Sequence, residues 1–393
     1  MYDFIRKEWF AIDYELNHNL RKYSDEDKKK NEETADKFIK KFNYYIKRKP
    51  RDVKKREEWE LEGEVIVREL LRESTLLNFK YIGEENQNLM IKVTKEFIKE
   101  SKEFDNEINN EYISQGLRNL WIINILQLIF HKRLELTSSA FAYSIIYPYT
   151  DNFLDNVHVS LDSKEEFNRK LYLMIKGEDV TCKNILEKRV YKLLKNIEYD
   201  YDRKDFKEVY NSLLKIHEGQ VKSMKQQEKC FIPYERDVLG ISIEKGASSV
   251  LADGYLVKGK LSLAEKEFCL RYGFLLQLID DFQDIKSDKK NEHITIMSQL
   301  AGKYPLDNII NKIINYTYDL FEDTKLLKGN ENLNKLIKDN CILLILCSLA
   351  LNKEYVSEEY MIEMEKYLPF NVSYIDKHSK TTMSKLKRME GIL

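Results

Sequence analysis

Apolar residues recur at i, i+3 and i+4 along most of this chain, and that spacing restricts it to amphipathic helices. Breakers are scarce: five prolines (Pro50, Pro148, Pro233, Pro305, Pro369) and 13 glycines punctuate 393 residues. The expectation is an all-α chain. Its length can bury a substantial core, in one large domain or two ordinary ones. No repeat, low-complexity tract or linker composition divides it. The simplest division is one continuous α-domain over 111–393 with a helical extension, 1–110, packed on it.

Lys and Arg number 65 and Asp and Glu 66, for a net charge of −1. That balance argues against a dedicated nucleic-acid binder, which shows a basic face. The basic stretches Lys28–Lys30 and Lys47–Lys55 read as solvated faces or loops around Pro50. Five cysteines (Cys182, Cys230, Cys269, Cys341, Cys347) form no CxxC pair. An odd count suits reduced thiols in a cytoplasmic protein. The N-terminus is charged from Asp3 onward and lacks the apolar stretch of a signal peptide. Cys341–Leu351 is the most apolar run, too short to span a bilayer and better read as a buried helix.

One helix breaks the rules of stability. Leu276-Gln277-Leu278-Ile279 runs directly into Asp280-Asp281-Phe282-Gln283-Asp284, with Asp288 one turn on. Asp280, Asp284 and Asp288 share a face, and Asp281 lies roughly 100° around. Like charges at this spacing destabilise a helix, and its C-terminal end is the unfavourable place for carboxylates. Gly259 closes the preceding helix, Glu235 to Val257, and Ser262–Glu265 forms a capping box. The acidic helix should therefore run from Leu263 to about Asp288. Clustered hard oxygen donors suit Mg²⁺, which suits a substrate phosphate.

Asp151-Asn152-Phe153-Leu154-Asp155 has the same local geometry. It follows a helix expected over Leu136 to Tyr147 and ending at Pro148. Alone, two acids four apart read as a solvated helix end. If the two acidic helices face each other, their carboxylates flank one mouth. Several Mg²⁺ ions and a bridging diphosphate would fit between them.

Gln277-x-x-Asp280-Asp281-x-x-Asp284 resembles the second aspartate-rich motif, FQxxDDxxD, of the all-α trans-isoprenyl diphosphate synthases. Asp151-Asn152-x-x-Asp155 resembles their first motif, DDxxD, with Asn at its second position. Lys245-Gly246-Ala247-Ser248 resembles the Lys-Thr-Ala element whose lysine contacts diphosphate. The resemblance covers roughly residues 115–350. It implies the class I isoprenoid synthase (terpenoid synthase) fold, a helical bundle around a central apolar cavity, with 111–393 as catalytic domain. It implies three Mg²⁺ (Mn²⁺ as an alternative) and a polyprenyl diphosphate. Asp151 and Asp155 would hold two ions with help from Asn152, and Asp280, Asp281 and Asp284 the third. Asp288 would be a further ligand or a surface acid. Arg169, Lys170 and Lys245 would reach the diphosphate, and Lys289 and Lys290 would close over it or stay solvated. Gln277 would orient a metal ligand. His158 and His293 lie near the clusters. Tyr147 and Phe153, with Tyr143, Tyr272, Phe274 and Phe282, would line the cavity or belong to the core. Segments 120–130, 268–279 and 341–351 would wall the tunnel.

Two departures bear on the reaction. Chain-elongating synthases carry Arg-Arg-Gly after the first motif; here the first arginine after Asp155 is Arg169. The loop after the second motif is altered to Asn291-Glu-His-Ile-Thr-Ile-Met-Ser298. One diphosphate pocket without a second is what a terpene synthase would show. The resemblance therefore narrows to the prenyl-synthase-like bacterial terpene cyclases, including the large-terpene synthases. Open beside it stand a prenyltransferase, chain-elongating or head-to-head of the squalene and phytoene kind, and a non-catalytic isoprenoid-binding protein. Peripheral membrane contact for a lipophilic product and a homodimer also remain open.

Overall fold

The computed structural model describes residues 2–378, apart from 51, 53–54, 74–75, 157, 228–231 and 233–234. Cys230 and part of the basic stretch Lys47–Lys55 lie outside the described residues. Among the described residues the chain is all-α, with one isolated bridge between Ala301 and Tyr304. The N-terminal part holds α1 (Asp3–Ala11), α2 (Asp25–Lys47), α3 (Arg56–Glu73) and α4 (Gly83–Phe104). Then follow α5 (Asn110–Ile129), α6 (Ser138–Asp155), α7 (Leu161–Lys176), α8 (Ile185–Asp200), α9 (Lys207–Ser223) and α10 (Val238–Lys258). The rest comprises α11 (Leu263–Gln283), α12 (Ile285–Lys290), α13 (Asp307–Asp323), α14 (Glu331–Leu351) and α15 (Glu358–Glu365).

Local chemistry sets these boundaries. Ser262 accepts from the Glu265 amide while Glu265 accepts from the Ser262 amide, the expected capping box of α11. Gly259, at φ +75°, closes α10 where a side chain would be strained. Two expectations change. The helix expected to stop at Pro148 continues through it, so α6 carries Asp151 and Asp155 on one helical face. Pro148 lacks the N–H that would bond the Ser144 carbonyl, and just past it the Thr150 hydroxyl donates to the carbonyls of Ile146 at 3.0 Å and Tyr147 at 3.1 Å. The helix expected over Leu263–Asp288 is divided: α11 ends at Gln283 and α12 resumes at Ile285. Backbone bonds from Asp284 to Asp280 (3.0 Å) and from Asp288 to Asp284 (2.8 Å) preserve the i, i+4 spacing across the break.

The central helices α5, α6, α10 and α11 are buried around much of their circumference and pack on one another. One contiguous apolar core runs from Ile5 to Leu368. Helices α10 and α11 approach closely at Gly246 and Gly273. A Cβ on Gly273 would lie 2.2 Å from the Gly246 carbonyl oxygen. That approach sets Lys245 against the acidic end of α11.

The N-terminal helices are tied into the molecule at several places. Tyr2 shares a 2.7 Å hydrogen bond with Ser248, and Arg6 pairs with Asp237. Lys28 Nζ donates to the Glu365 carbonyl at 2.9 Å, and Asn31 to that of Pro369 at 2.9 Å. Helices α2 and α3 also form a second, separate core of Phe42, Tyr45, Trp59 and Ile66. No helix among the described residues is long and apolar enough to cross a membrane.

Replacing Gly273 by Ala should overpack the α10–α11 crossing and lower stability by about 1–3 kcal/mol, read as a lower denaturant midpoint at unchanged slope. An unchanged midpoint would show that the crossing has slack.

Candidate functional site

A cavity of about 1290 Å³ opens among α2–α5, α10, α11 and α14. Most of its wall is apolar, including Ile122, Ile125, Leu128, Val250, Leu276, Ile337 and Leu344. The three expected segments, 120–130, 268–279 and 341–351, each contribute. Arg118, Tyr147, Lys245, Gln277 and Asp280 gather on its polar side.

Lys245 organises that side. Its ammonium lies 4.0 Å from Asp151 Oδ1, which joins α10 to the acidic end of α6. Burial works to discharge it, but Asp151, Tyr147, Asp155 and Asp280 hold its pKa above the ordinary lysine range. Carboxylates of both motifs thus converge on one cation. Asp280 turns its exposed surface to the cavity from the end of α11.

One ammonium does not balance this much negative charge. Burial raises the pKa of Asp151, with Asp155 adding to the rise and Lys245 and Arg118 opposing it. Burial likewise raises Asp280, with Asp151 adding to the rise and Lys245 and Arg118 opposing it. Burial and Asp280 push Asp284 up to about 6. Burial, Asp281 and Asp284 push Asp288 up to about 7.

Asp281 has a different role from its neighbours. It is buried, accepting from Gln277 Nε2 at 2.8 Å and from Ser242 Oγ at 3.2 Å. Burial nevertheless pushes it up to about 7. It therefore anchors α11 to α10 and fixes Gln277, the residue expected to orient a ligand. Asn152 exchanges hydrogen bonds with Gln115, donating at 2.7 Å and accepting at 3.3 Å. Asp288 accepts from Thr295 Oγ1 at 3.2 Å. His293 Nδ1 lies 3.6 Å from the same carboxylate, and burial pushes this imidazole down to about 4.

Other expected residues go elsewhere. Lys170 is buried on α7 with its ammonium 2.9 Å from both oxygens of Glu187, and so is not at the cavity. Arg169 is exposed on α7, outside the cavity lining. The Phe153 ring packs on Phe167 with centroids 4.8 Å apart. Phe274 and Phe282 are core residues, whereas Tyr147 and Tyr272 line the cavity. Tyr143 is buried and is not among the lining residues. Lys289 donates to the Ala301 carbonyl rather than facing the acids. His158 is exposed beyond the end of α6.

Arg118 and Gln115 were not anticipated. The available signal was a lone arginine one turn before the most apolar stretch of α5, where a solvated position would cost nothing but a core position needs a partner. The α2–α4 side of the wall was also unforeseen.

Among the described residues, no group of three or more His, Cys, Asp or Glu side chains is arranged to hold a metal ion by itself. The donor chemistry still fits Mg²⁺, which is commonly held by one or two carboxylates with substrate phosphate and water completing its shell. The raised carboxyl groups mark where a cation would relieve charge. No protein-family model matches the chain, and no curated protein matches it.

Asp281 contributes to the pH response in the same direction as the other raised carboxyls, Asp284 and Asp288. Its folded value, about 7, lies above the unfolded carboxylate value of about 3.9. The folded state keeps a proton that the unfolded state loses, so this stabilisation is present at low pH and lost as pH rises through 7. Without divalent cations, Asp281→Asn should exceed wild type in stability at pH 8 by on the order of a few kcal/mol, the gap narrowing toward pH 4. His217 and His293, both pushed down to about 4, oppose this trend below about pH 6.5 but act equally in both proteins. Denaturant titrations at four pH values check this; a pH-independent gap would contradict it.

Proposed function

We propose that the protein is a class I terpene synthase with the isoprenoid synthase fold, ionising a linear polyprenyl diphosphate of C15–C35 and releasing diphosphate. One observation carries the reading. Lys245 gathers carboxylates from both acidic motifs on the polar side of a large apolar cavity. At about 1290 Å³ the cavity exceeds the roughly 300–1,000 Å³ of ordinary small-molecule pockets, which favours a long apolar ligand.

Asp280, Asp284 and Asp288 on one side, and Asp151 and Asp155 on the other, would hold Mg²⁺, which when bound would neutralise charge on the leaving diphosphate. Asp281 and Gln277 would keep α11 in position. Lys245 and Arg118 would face the phosphate oxygens; arginine can engage two at once. Leu276, Ile122 and Leu344 would exclude water from the cation left in the cavity. Tyr147 and Tyr272, which line the cavity, would supply aromatic side chains near it. Lys170 has no part in this scheme, since Glu187 engages its ammonium. Among the described residues the Arg169–Lys170 pair is thus turned away from the first motif, and Lys245 and Arg118 are the cations that act on Asp151 and Asp280. That favours a lyase over a two-substrate prenyltransferase.

Incubation with Mg²⁺ and prenyl diphosphates from C10 to C35, each with and without isopentenyl diphosphate, should yield a hydrocarbon or alcohol without the cosubstrate. Longer diphosphates formed only in its presence would replace this reading with chain elongation. Asp280→Ala and Asp151→Ala should each reduce turnover at least ~10²-fold at unchanged helicity, the scale on which one electrostatic contact to a transition state acts. Retained turnover would remove these carboxylates from the mechanism.

A further inference from the structure

A second chamber, of about 30 Å³, adjoins the cavity between α6 and α9. Tyr147, Ile216 and Gln220 line both spaces and so form the partition between them. The partition lies at the polar end of the cavity. Tyr147 hydrogen-bonds Asp151, and a Cβ on Gly219, the neighbour of Gln220, would lie 3.2 Å from the Cα of Lys245.

His217 lines this chamber and is 5% exposed. Its Nδ1 is buried and has no hydrogen-bond partner among the described residues. Buried polar atoms are paired as a rule, and where a space is polar and roomy enough the partner is an ordered water. About 10–15 Å³ suffices for one water, which this chamber exceeds. Gln220 and Thr150 add polar groups to its lining. The Thr150 hydroxyl donates to backbone carbonyls and keeps lone pairs that can accept. Burial pushes the His217 imidazole down to about 4, against a hydrogen bond to the Asn168 backbone. At neutral pH the ring is therefore uncharged, and one of its nitrogens is an acceptor. His217 and Gln220, three residues apart, share a face of α9.

We propose that the chamber is a water site built on His217 Nδ1, and that its water adds to the cation formed in the cavity, making the product an alcohol. The inference rests on the proposed diphosphate reading for the origin of the cation and adds the nucleophile and its base. A lone pair of the water oxygen forms the new C–O bond at the cationic carbon. The protonated alcohol then passes one proton to Nδ1, leaving a neutral alcohol and an imidazolium. Gln220, polar and common to both spaces, is the point of transfer. The apolar wall of the main cavity excludes other water, so the attack comes from this side.

Two measurements test it together. A high-resolution crystal structure of the wild-type protein should show a water within hydrogen-bond distance of His217 Nδ1; a dry chamber would overturn the site. Turnover of the prenyl diphosphates with Mg²⁺ in ¹⁸O-labelled water should give a labelled alcohol; a product that is hydrocarbon alone would overturn the delivery. His217→Leu and His217→Gln are compared after circular dichroism and denaturant unfolding confirm the fold. His217→Leu, which removes the acceptor, should lower the ratio of alcohol to hydrocarbon on the order of 10²-fold, the low end for a positioned base. His217→Gln, which keeps an acceptor oxygen, should restore part of that ratio. An unchanged ratio, or equal losses in both variants, would reduce His217 to a support of the fold and overturn its role. If the water is present but no prenyl diphosphate is consumed, the diphosphate reading fails together with the delivery, and the water site stands. If labelled alcohol forms while the chamber is dry, the diphosphate reading stands and this site falls.

Discussion

The contact on which the site depends is the approach of Lys245 to Asp151, within reach of the charge of Asp280. It joins α6, α10 and α11 at their polar ends. The glycines that let α10 and α11 cross closely set the lysine against the acidic end of α11. Without the lysine, carboxylates of α6 and α11 would face each other with less opposing charge. Isolated buried charges of one sign are costly, and the usual outcomes are protonation or a bound counter-cation. In the protein alone Asp284 and Asp288 are shifted toward the first outcome, pushed up to about 6 and about 7. The proposed substrate and its ions would supply the second.

Anchoring and exposure are divided among adjacent aspartates. Asp280 faces the cavity, whereas Asp281 is turned into the α10 interface by the helical rotation between consecutive residues. Ser242 and Gln277 hold it there. The acidic cluster therefore combines an electrostatic surface with its own support. A helix that carried only the exposed face would have nothing to fix its strained, charged end.

Much of the fold was legible because its signals are local. The Ser262 capping box, the Gly259 stop and the shared face of Asp280, Asp284 and Asp288 need only nearby residues. Pro148 misled because a proline inside a helix is tolerated when neighbouring groups adjust, and that adjustment is not visible in spacing. The site was legible in part. Lys245 and the acidic motifs were found by pattern, but the fate of Lys170 depended on Glu187, whose approach from α8 is tertiary. Arg118 was overlooked for the converse reason: its importance comes from which helices surround α5. The α2–α4 wall involves residues far apart in sequence and leaves no periodic trace of facing a cavity.

The central claim is that both acidic motifs and Lys245 act as one site for a diphosphate and divalent cations. Calorimetric titration of inorganic diphosphate, with and without Mg²⁺, tests it without requiring turnover. Wild type should bind diphosphate tightly only with Mg²⁺, and Mg²⁺ should bind more tightly with diphosphate by the same factor. Asp151→Ala, Asp280→Ala and Lys245→Ala should each weaken the coupled binding. Diphosphate affinity that ignores Mg²⁺, or that survives loss of either acidic motif, would contradict the account.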